Sequence, residues 1–253
     1  MASRQEQKKK ARAEREAAQK AADDAAARRR RTAFLAGGVA LIALIVIVAL
    51  VVISQGDDGS DTQANADSMF SGVPMKGIAM GEPDAPVTVV EFADLQCPFC
   101  HDFAVEDLPG IIKDYVKPGD VRMELRLLAF IGPDSEAGRG VAAGAAEQDL
   151  IWPFTENIYN NQGTENSGYM TTEFLTQQAE AVPGLDVEQA FNAADSDFAR
   201  RYAAESEQEA RDAGISSTPS FTVTAEGGEP KTVDADGLSD AIDEALAQSS
   251  GGK

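Results

Sequence analysis

The sequence predicts an α/β domain with a helical insertion, carried behind a single N-terminal transmembrane helix. Three observations predict it. A charge-free apolar run occupies residues 33–53. A β-branched stretch, Val87 to Phe92, leads into Cys97-Pro98-Phe99-Cys100 and is followed by a helix and a second strand pattern near Val121 to Leu128, which makes a βαβ unit. From Asp134 to about Ala194 no strand pattern appears, only Ala- and Glu-rich stretches with helical character.

Residues 1–32 form a basic segment, to which no chemistry is assigned. Met1 to Arg31 holds eleven Lys/Arg against five Asp/Glu, so it carries +6 while the remainder carries −26. A body so acidic repels phosphate backbones and lacks clustered Lys/Arg, which excludes nucleic acid as a partner. Ala33 to Ile53 is twenty-one residues without a charge, a length that crosses a bilayer core at about 1.5 Å rise per residue. Arg28 to Arg31 precede it and Asp57, Asp58 and Asp61 follow it. The positive-inside rule then leaves the N-terminus cytoplasmic and the acidic body outside, with membrane lipid around the helix. A cleaved signal peptide is the rival, with Ala64-Asn65-Ala66 as its site, but such a peptide carries an apolar region of only about 7–15 residues.

Gly, Ser, Asp, Asn and Pro dominate residues 54–85, which read as a flexible linker that gains order near Met75 to Met80, with the folded domain spanning 86–253. After the first strand, a helix runs from the cysteines to about Val116 and ends at Lys117-Pro118-Gly119-Asp120. The insertion, about 134–194, is predicted to contain several helices broken at Pro153, Gly163, Gly168 and Pro183-Gly184. A further helix, about Ser196 to Ala213, places Phe198, Tyr202, Ser206, Ala210 and Ala213 on one side. Phe221 to Ala225 and Pro230 to Val233 read as a hairpin across Gly227-Gly228, and Leu238 to about Ala247 as a closing helix.

The chemistry concentrates at Cys97 and Cys100, the only thiols in the chain. At a helix N-terminus, unpaired N–H groups and the helix dipole favour a thiolate. That makes Cys97 the candidate nucleophile and Cys100, one turn inward, the resolving thiol. Pro98 suits the first helical turn. A purely structural disulfide is the bland alternative, but a bridge across so short a loop removes little unfolded-chain entropy. Zinc wants four protein ligands, and only Cys97, Cys100 and His101 are on offer, so no metal or cofactor is assigned. Cys97, Cys100 and His101 also spell CxxCH, the attachment motif of a c-type haem electron-transfer protein, against which stands the preceding buried strand. His101, the sole histidine, otherwise reads as a first-turn surface residue that assists the thiolate when protonated. A binding or chaperone module with merely bridged cysteines is a third reading.

Glu91 shares a strand face with Val87 and Val89. Buried there, its carboxyl would have a raised pKa and could exchange a proton with Cys100; at a solvated strand end it would do neither. Thr218-Pro219 precedes the last hairpin and is a candidate cis peptide.

Taken together, GEPDAPVTVVEFADLQCPFC, AGAAEQDLIWPF and GISSTPSFTV resemble the DsbA-like branch of the thioredoxin superfamily, including its membrane-tethered Gram-positive members, over roughly Gly81 to Ala247. The resemblance implies a thioredoxin fold with a helical insertion and thiol-disulfide exchange on exported proteins with cysteines. It also implies a membrane redox partner that recycles the pair, a buried acid at Glu91, and a cis-proline at Pro219 that aligns substrate with Thr218 opposite Cys97. Two positions depart from the pattern. Strongly oxidising members carry His where Phe99 stands, which implies a weaker oxidant. Thr218 is shared with isomerase and reductase branches, so the direction of electron flow stays open.

Overall fold

Six strands form one sheet in the order β1-β2-β4-β3-β5-β6, in a computed structural model that describes residues 69–251. The basic segment, the 33–53 anchor and the first part of the linker lie outside the described residues. Among the described residues no helix is long and apolar enough to cross a membrane.

β3 (Val87–Ala93) is the centre of the sheet. It runs parallel to β4 (Val121–Leu127), from Val87 opposite Val121 to Ala93 opposite Leu127. On its other side it pairs antiparallel with β5 (Ser220–Ala225), from Val87 opposite Ala225 to Phe92 opposite Ser220. Val87, Val89, Glu91 and Ala93 project to one face and all are buried. The opposite face is closed only toward its end, where Phe92 packs with Leu128 and Ala210, so burial on both faces holds for the second half of the strand alone.

The sheet begins earlier than Pro86, the expected start of the folded domain. β1 (Met75–Lys76) and β2 (Ala79–Met80) form a hairpin turned at Gly77, whose φ is 60°. β2 adds antiparallel to β4, and Phe70, Val73, Ala79 and Met80 are all buried. Strands of two residues are too short to show an alternation in sequence, which is why the stretch reads as linker. β2 covers only part of β4. Beyond it, the Leu125 N–H donates to the Ile78 carbonyl at 3.0 Å. The Tyr202 hydroxyl then accepts from the Leu127 N–H at 2.9 Å and donates to the Leu125 carbonyl at 3.0 Å. One side chain thus completes the edge that the hairpin leaves open.

The crossover from β3 to β4 is a helical run in four parts: α1 (Pro98–Asp102), a π-helical turn (Phe103–Asp107), α2 (Leu108–Ile111) and a second π-helical turn (Ile112–Val116). Pro109 has no N–H to give to the preceding turn, and a widened turn absorbs that loss. The predicted extent to Val116 holds; the widening leaves no mark in the hydrophobic pattern.

The insertion carries α3 (Pro133–Ala146), α4 (Ile151–Asn160), α5 (Thr172–Glu180) and α6 (Val187–Asn192). Gly144 lets α6 come close: a Cβ there would sit 2.1 Å from the Ala190 carbonyl oxygen. Pro153 does not break a helix. It lies in the first turn of α4, where backbone N–H groups have no intrahelical acceptor and their loss is free. Thr171, Asp186 and Ser196 cap α5, α6 and α7 (Asp197–Asp212) through their side chains. α7 buries Ala199, Tyr202, Ser206 and Ala210, one residue round from the predicted stripe at its start. β6 (Lys231–Val233) closes the hairpin with β5 through Gly227, at φ 73°, and α8 (Leu238–Gly251) packs back on β5.

Replacing Tyr202 by Phe strands a buried N–H and a buried carbonyl of β4 while leaving the packing intact. Urea denaturation of Tyr202→Phe should show a loss of about 1–3 kcal/mol; a midpoint equal to the parent's would mean that the β4 edge finds other partners.

Candidate active site

β3 ends at Ala93, and the four residues to Cys97 turn the chain into α1. Their polar groups are held partly by one another and partly from elsewhere in the chain. The Asp94 carboxylate, fully buried, accepts from the Gln96 N–H at 2.9 Å, the Ser135 hydroxyl at 2.6 Å and the Ile131 N–H at 3.1 Å. Gln96, also fully buried, donates its amide to Ser135 at 2.9 Å and accepts from the Asn166 N–H at 2.8 Å. The Gln162 amide donates to the carbonyls of Leu95 at 2.9 Å and Cys97 at 3.1 Å. Ser135, Gln162 and Asn166 all come from the insertion, so the helical layer holds the loop that aims the cysteines.

Cys97 is the N-cap of α1, in extended conformation, with Pro98 as the first helical residue. Both cysteines are free thiols, yet their surroundings push them apart. The Cys97 thiol is lowered to about 6, chiefly by its hydrogen bond with Cys100 and further by Thr218 and the backbone N–H groups of Cys100 and Phe99, against an opposing contribution from burial. The Cys100 thiol is pushed well above its ordinary value, first by burial and then by Cys97. Its sulfur lies inward and accepts the Asp94 N–H at 3.5 Å. The Thr218-Pro219 bond is cis, as the sequence suggested, and the Thr218 carbonyl faces the Cys97 thiol at 3.2 Å.

The remaining predicted site residues divide. Phe99 is 70% exposed, and only its backbone N–H bears on the Cys97 sulfur. His101 pairs with its neighbour Asp102 at 3.1 Å and not with Cys97. Between Phe99 and Phe103 on one side and Thr218, Pro219 and Ala235 on the other runs an open groove of about 410 Å³. The haem reading does not fit, because the Cys100 sulfur is buried beneath the helix and could not reach a macrocycle that His101 also ligates. Among the described residues no cluster of metal-ligating side chains occurs.

Glu91 is 2% exposed and its Oε2 has no hydrogen-bond partner. Burial first, and then the charge of Glu156, raise its carboxyl to about 8. Sequence reasoning missed Glu156 on α4, a buried carboxyl raised to about 7 by burial despite a hydrogen bond from Asn160 at 3.1 Å. It also missed Asp94, Gln96, Gln162 and Tyr159. Tyr159 is buried, its hydroxyl donates to the Asp94 carbonyl at 3.4 Å, and its titration is pushed well up by burial and by Cys100, Glu91, Asp94 and Cys97. Only a polar residue on an apolar helix face, Glu156 among Trp152, Phe154 and Tyr159, could have flagged this group from sequence.

A family profile described as thioredoxin matches residues 74–244. A protein of Bacillus anthracis named probable disulfide bond formation protein D is 34% identical over 173 residues, covering 66% of this chain and 77% of that one. The crystal structure of oxidised BdbD from Bacillus subtilis superimposes with a TM-score of 0.60 at 25% identity, over 68% of this chain and 93% of that one. DsbA of Chlamydia trachomatis shares the fold, with a TM-score of 0.55 at 19% identity, over 68% and 90% of the two chains.

The buried carboxyl has a consequence for stability. The folded chain keeps the Glu91 proton up to about pH 8, whereas an unfolded carboxyl releases it near 4.5, so the stability it contributes is complete below about pH 4.5 and is lost as pH rises through 8. Glu91→Gln keeps the shape and cannot ionise. It should exceed the parent in stability by several kcal/mol at pH 9 and match it near pH 4; denaturant titrations with parallel pH dependences would mean that the folded carboxyl titrates normally.

Proposed function

From the premise that the chain belongs to the thioredoxin family and is a DsbA-like thiol-disulfide oxidoreductase, we propose that it introduces disulfides into exported proteins while anchored at the outer face of the cell membrane. The observation that carries this reading is the placement of two thiols one helical turn apart, Cys97 at the helix N-cap facing the Thr218 carbonyl at 3.2 Å before a cis-proline and Cys100 fully buried beneath it, an arrangement that lowers the first thiol and raises the second.

In the oxidised enzyme a substrate thiolate attacks the Cys97 sulfur, the Cys97–Cys100 bond breaks, and Cys100 departs and takes up a proton from Glu91. A second substrate thiolate then attacks the substrate sulfur of the mixed disulfide and releases Cys97 as a thiolate. Two electrons pass from substrate to enzyme. Release of a thiolate that is stable at neutral pH drives the second step forward, because a thiol of lower pKa leaves faster and its reduced state lies lower. Thr218 and Pro219 flank the groove, and a substrate segment laid along them places its cysteine at Cys97. Pro98 starts the helix whose N–H groups favour the thiolate. The Phe99 side chain has no donor and the His101 ring pairs with Asp102, so neither side chain gives Cys97 a hydrogen bond, which supports an oxidant milder than those with a histidine at the Phe99 position.

Residues 33–53 are the proposed single-pass anchor, with residues 1–32 cytoplasmic and the thioredoxin-like domain, preceded by a linker, outside. Each turnover leaves a dithiol, so a membrane redox partner that accepts two electrons completes the cycle. The relatives named disulfide bond formation proteins support the oxidising direction.

For the full-length chain in detergent, equilibration with glutathione should give a reduction potential between the values of about −270 mV typical of a reductase and about −120 mV of a strong disulfide donor. A value at the reductase end would reverse the proposed direction. Cys97→Ser should abolish exchange, while Cys100→Ser should accumulate mixed disulfides with substrate; trapping on Cys97→Ser instead would exchange the two roles.

A further inference from the structure

Glu91 sits among apolar neighbours on the sheet, with Leu125 of β4 and Phe221 of β5 directly beside it. The Phe221 ring in turn lies 4.7 Å, centroid to centroid, from that of Phe103 just beyond α1. Of the titratable groups around it, Glu156 of α4 acts on Glu91 itself, and Glu91, Asp94, Cys97 and Cys100 all act on Tyr159, one turn further along α4. None is a cation, and neither Glu91 nor Glu156 forms an ion pair among the described residues. α4 packs against α1 and the π-helical turn after it, and its Tyr159 hydroxyl donates to the Asp94 carbonyl at the end of β3 at 3.4 Å, which puts Glu156, one turn earlier on α4, close enough for its charge to act on Glu91. Glu156 is the outer member: it is 5% exposed against 2% for Glu91, and its Oε1 takes a hydrogen bond from half-buried Asn160.

We propose that Glu156 is a positioning residue for the exchange reaction, forming with Glu91 a carboxyl pair that holds one proton in common and passes it between Cys100 and solvent. Two neighbouring buried carboxyls without a cation cannot both ionise cheaply, so the first proton leaves readily and the second is retained. When Cys100 leaves as a thiolate, Glu91 gives it that proton, and Glu156 restores the proton to Glu91 from the solvent side. One of the two protons released by the substrate thiols thereby returns to the enzyme, and Cys97 remains a thiolate. In the opposite direction the Cys100 proton follows the same path outward. The arrangement explains why Glu91 tolerates an unpartnered oxygen: the pair stays protonated at the pH where Cys100 needs a donor. The inference rests on the proposed exchange at Cys97 and Cys100.

Single-turnover transfer of the disulfide from the oxidised full-length chain to a dithiol peptide, followed from pH 5 to 10 for the parent, Glu156→Gln and Glu156→Asp, tests it. Without the like charge, Glu91 holds its proton less tightly, so the alkaline limb in Glu156→Gln should move down by about 1 pH unit. Glu156→Asp should recover part of that shift. A structural role for Glu156 would change the rate at all pH values alike and leave the limb in place, which would overturn the inference while exchange itself stands. A parent chain that transfers no disulfide at any pH would overturn both. A second measurement needs no variant. The reduced-minus-oxidised infrared difference spectrum of the parent should show two buried carboxyl bands changing together, and a single band would count against the pair.

Discussion

The reactive end of the molecule depends on how the chain is held where β3 stops. Asp94 is a fully buried carboxylate with three donors on its two oxygens, from Gln96, Ser135 and Ile131. A buried anion without cations is tolerable only when hydrogen bonds replace the lost water, and these do so by tying the loop to the start of α3. With the loop so held, Cys97 becomes the N-cap of α1 and its sulfur stands before the helix N–H groups. The Asp94 backbone N–H points at the Cys100 sulfur, so Asp94 braces both cysteines.

Position then does to the two thiols what composition cannot. They are three residues apart and chemically identical, yet one lies at the mouth of a groove within reach of hydrogen-bond donors and the other under the helix without water. The first environment favours the charged form and the second penalises it. In the exchange proposed for this pair, that disparity would give direction, since a thiol of lower pKa leaves faster.

The helical insertion is part of this chemistry and not an ornament on the sheet. Ser135, Gln162 and Asn166 brace the loop, while Tyr159 and Glu156 of α4 enclose the space behind Cys100. Gly138 in its first helix is what permits the closeness, since a Cβ there would lie 2.7 Å from Cδ1 of Leu95 in that loop. The pocket beneath the cysteines is therefore built from both layers, and its acidity arises where β3 and α4 meet.

Much of this was legible in the residues themselves. The β-branched run, the cysteines at its end and the second strand define the βαβ unit by periodicity. Turn residues mark the hairpin, because such a signal acts over a few neighbouring residues. Cys97 and Cys100 as the reactive pair, and Glu91 as an acid on a core face, follow from the same local rules. Tertiary structure alone decided the rest. It made strands of the pieces at Met75 and Ala79, placed the Thr218 carbonyl against Cys97, kept Pro153 inside a helix, and set Glu156 beside Glu91. Those outcomes depend on which surfaces meet across long stretches of chain. Burial and the charge of a spatial neighbour, the two forces that shift a carboxyl or a thiol most, come into being only when they do.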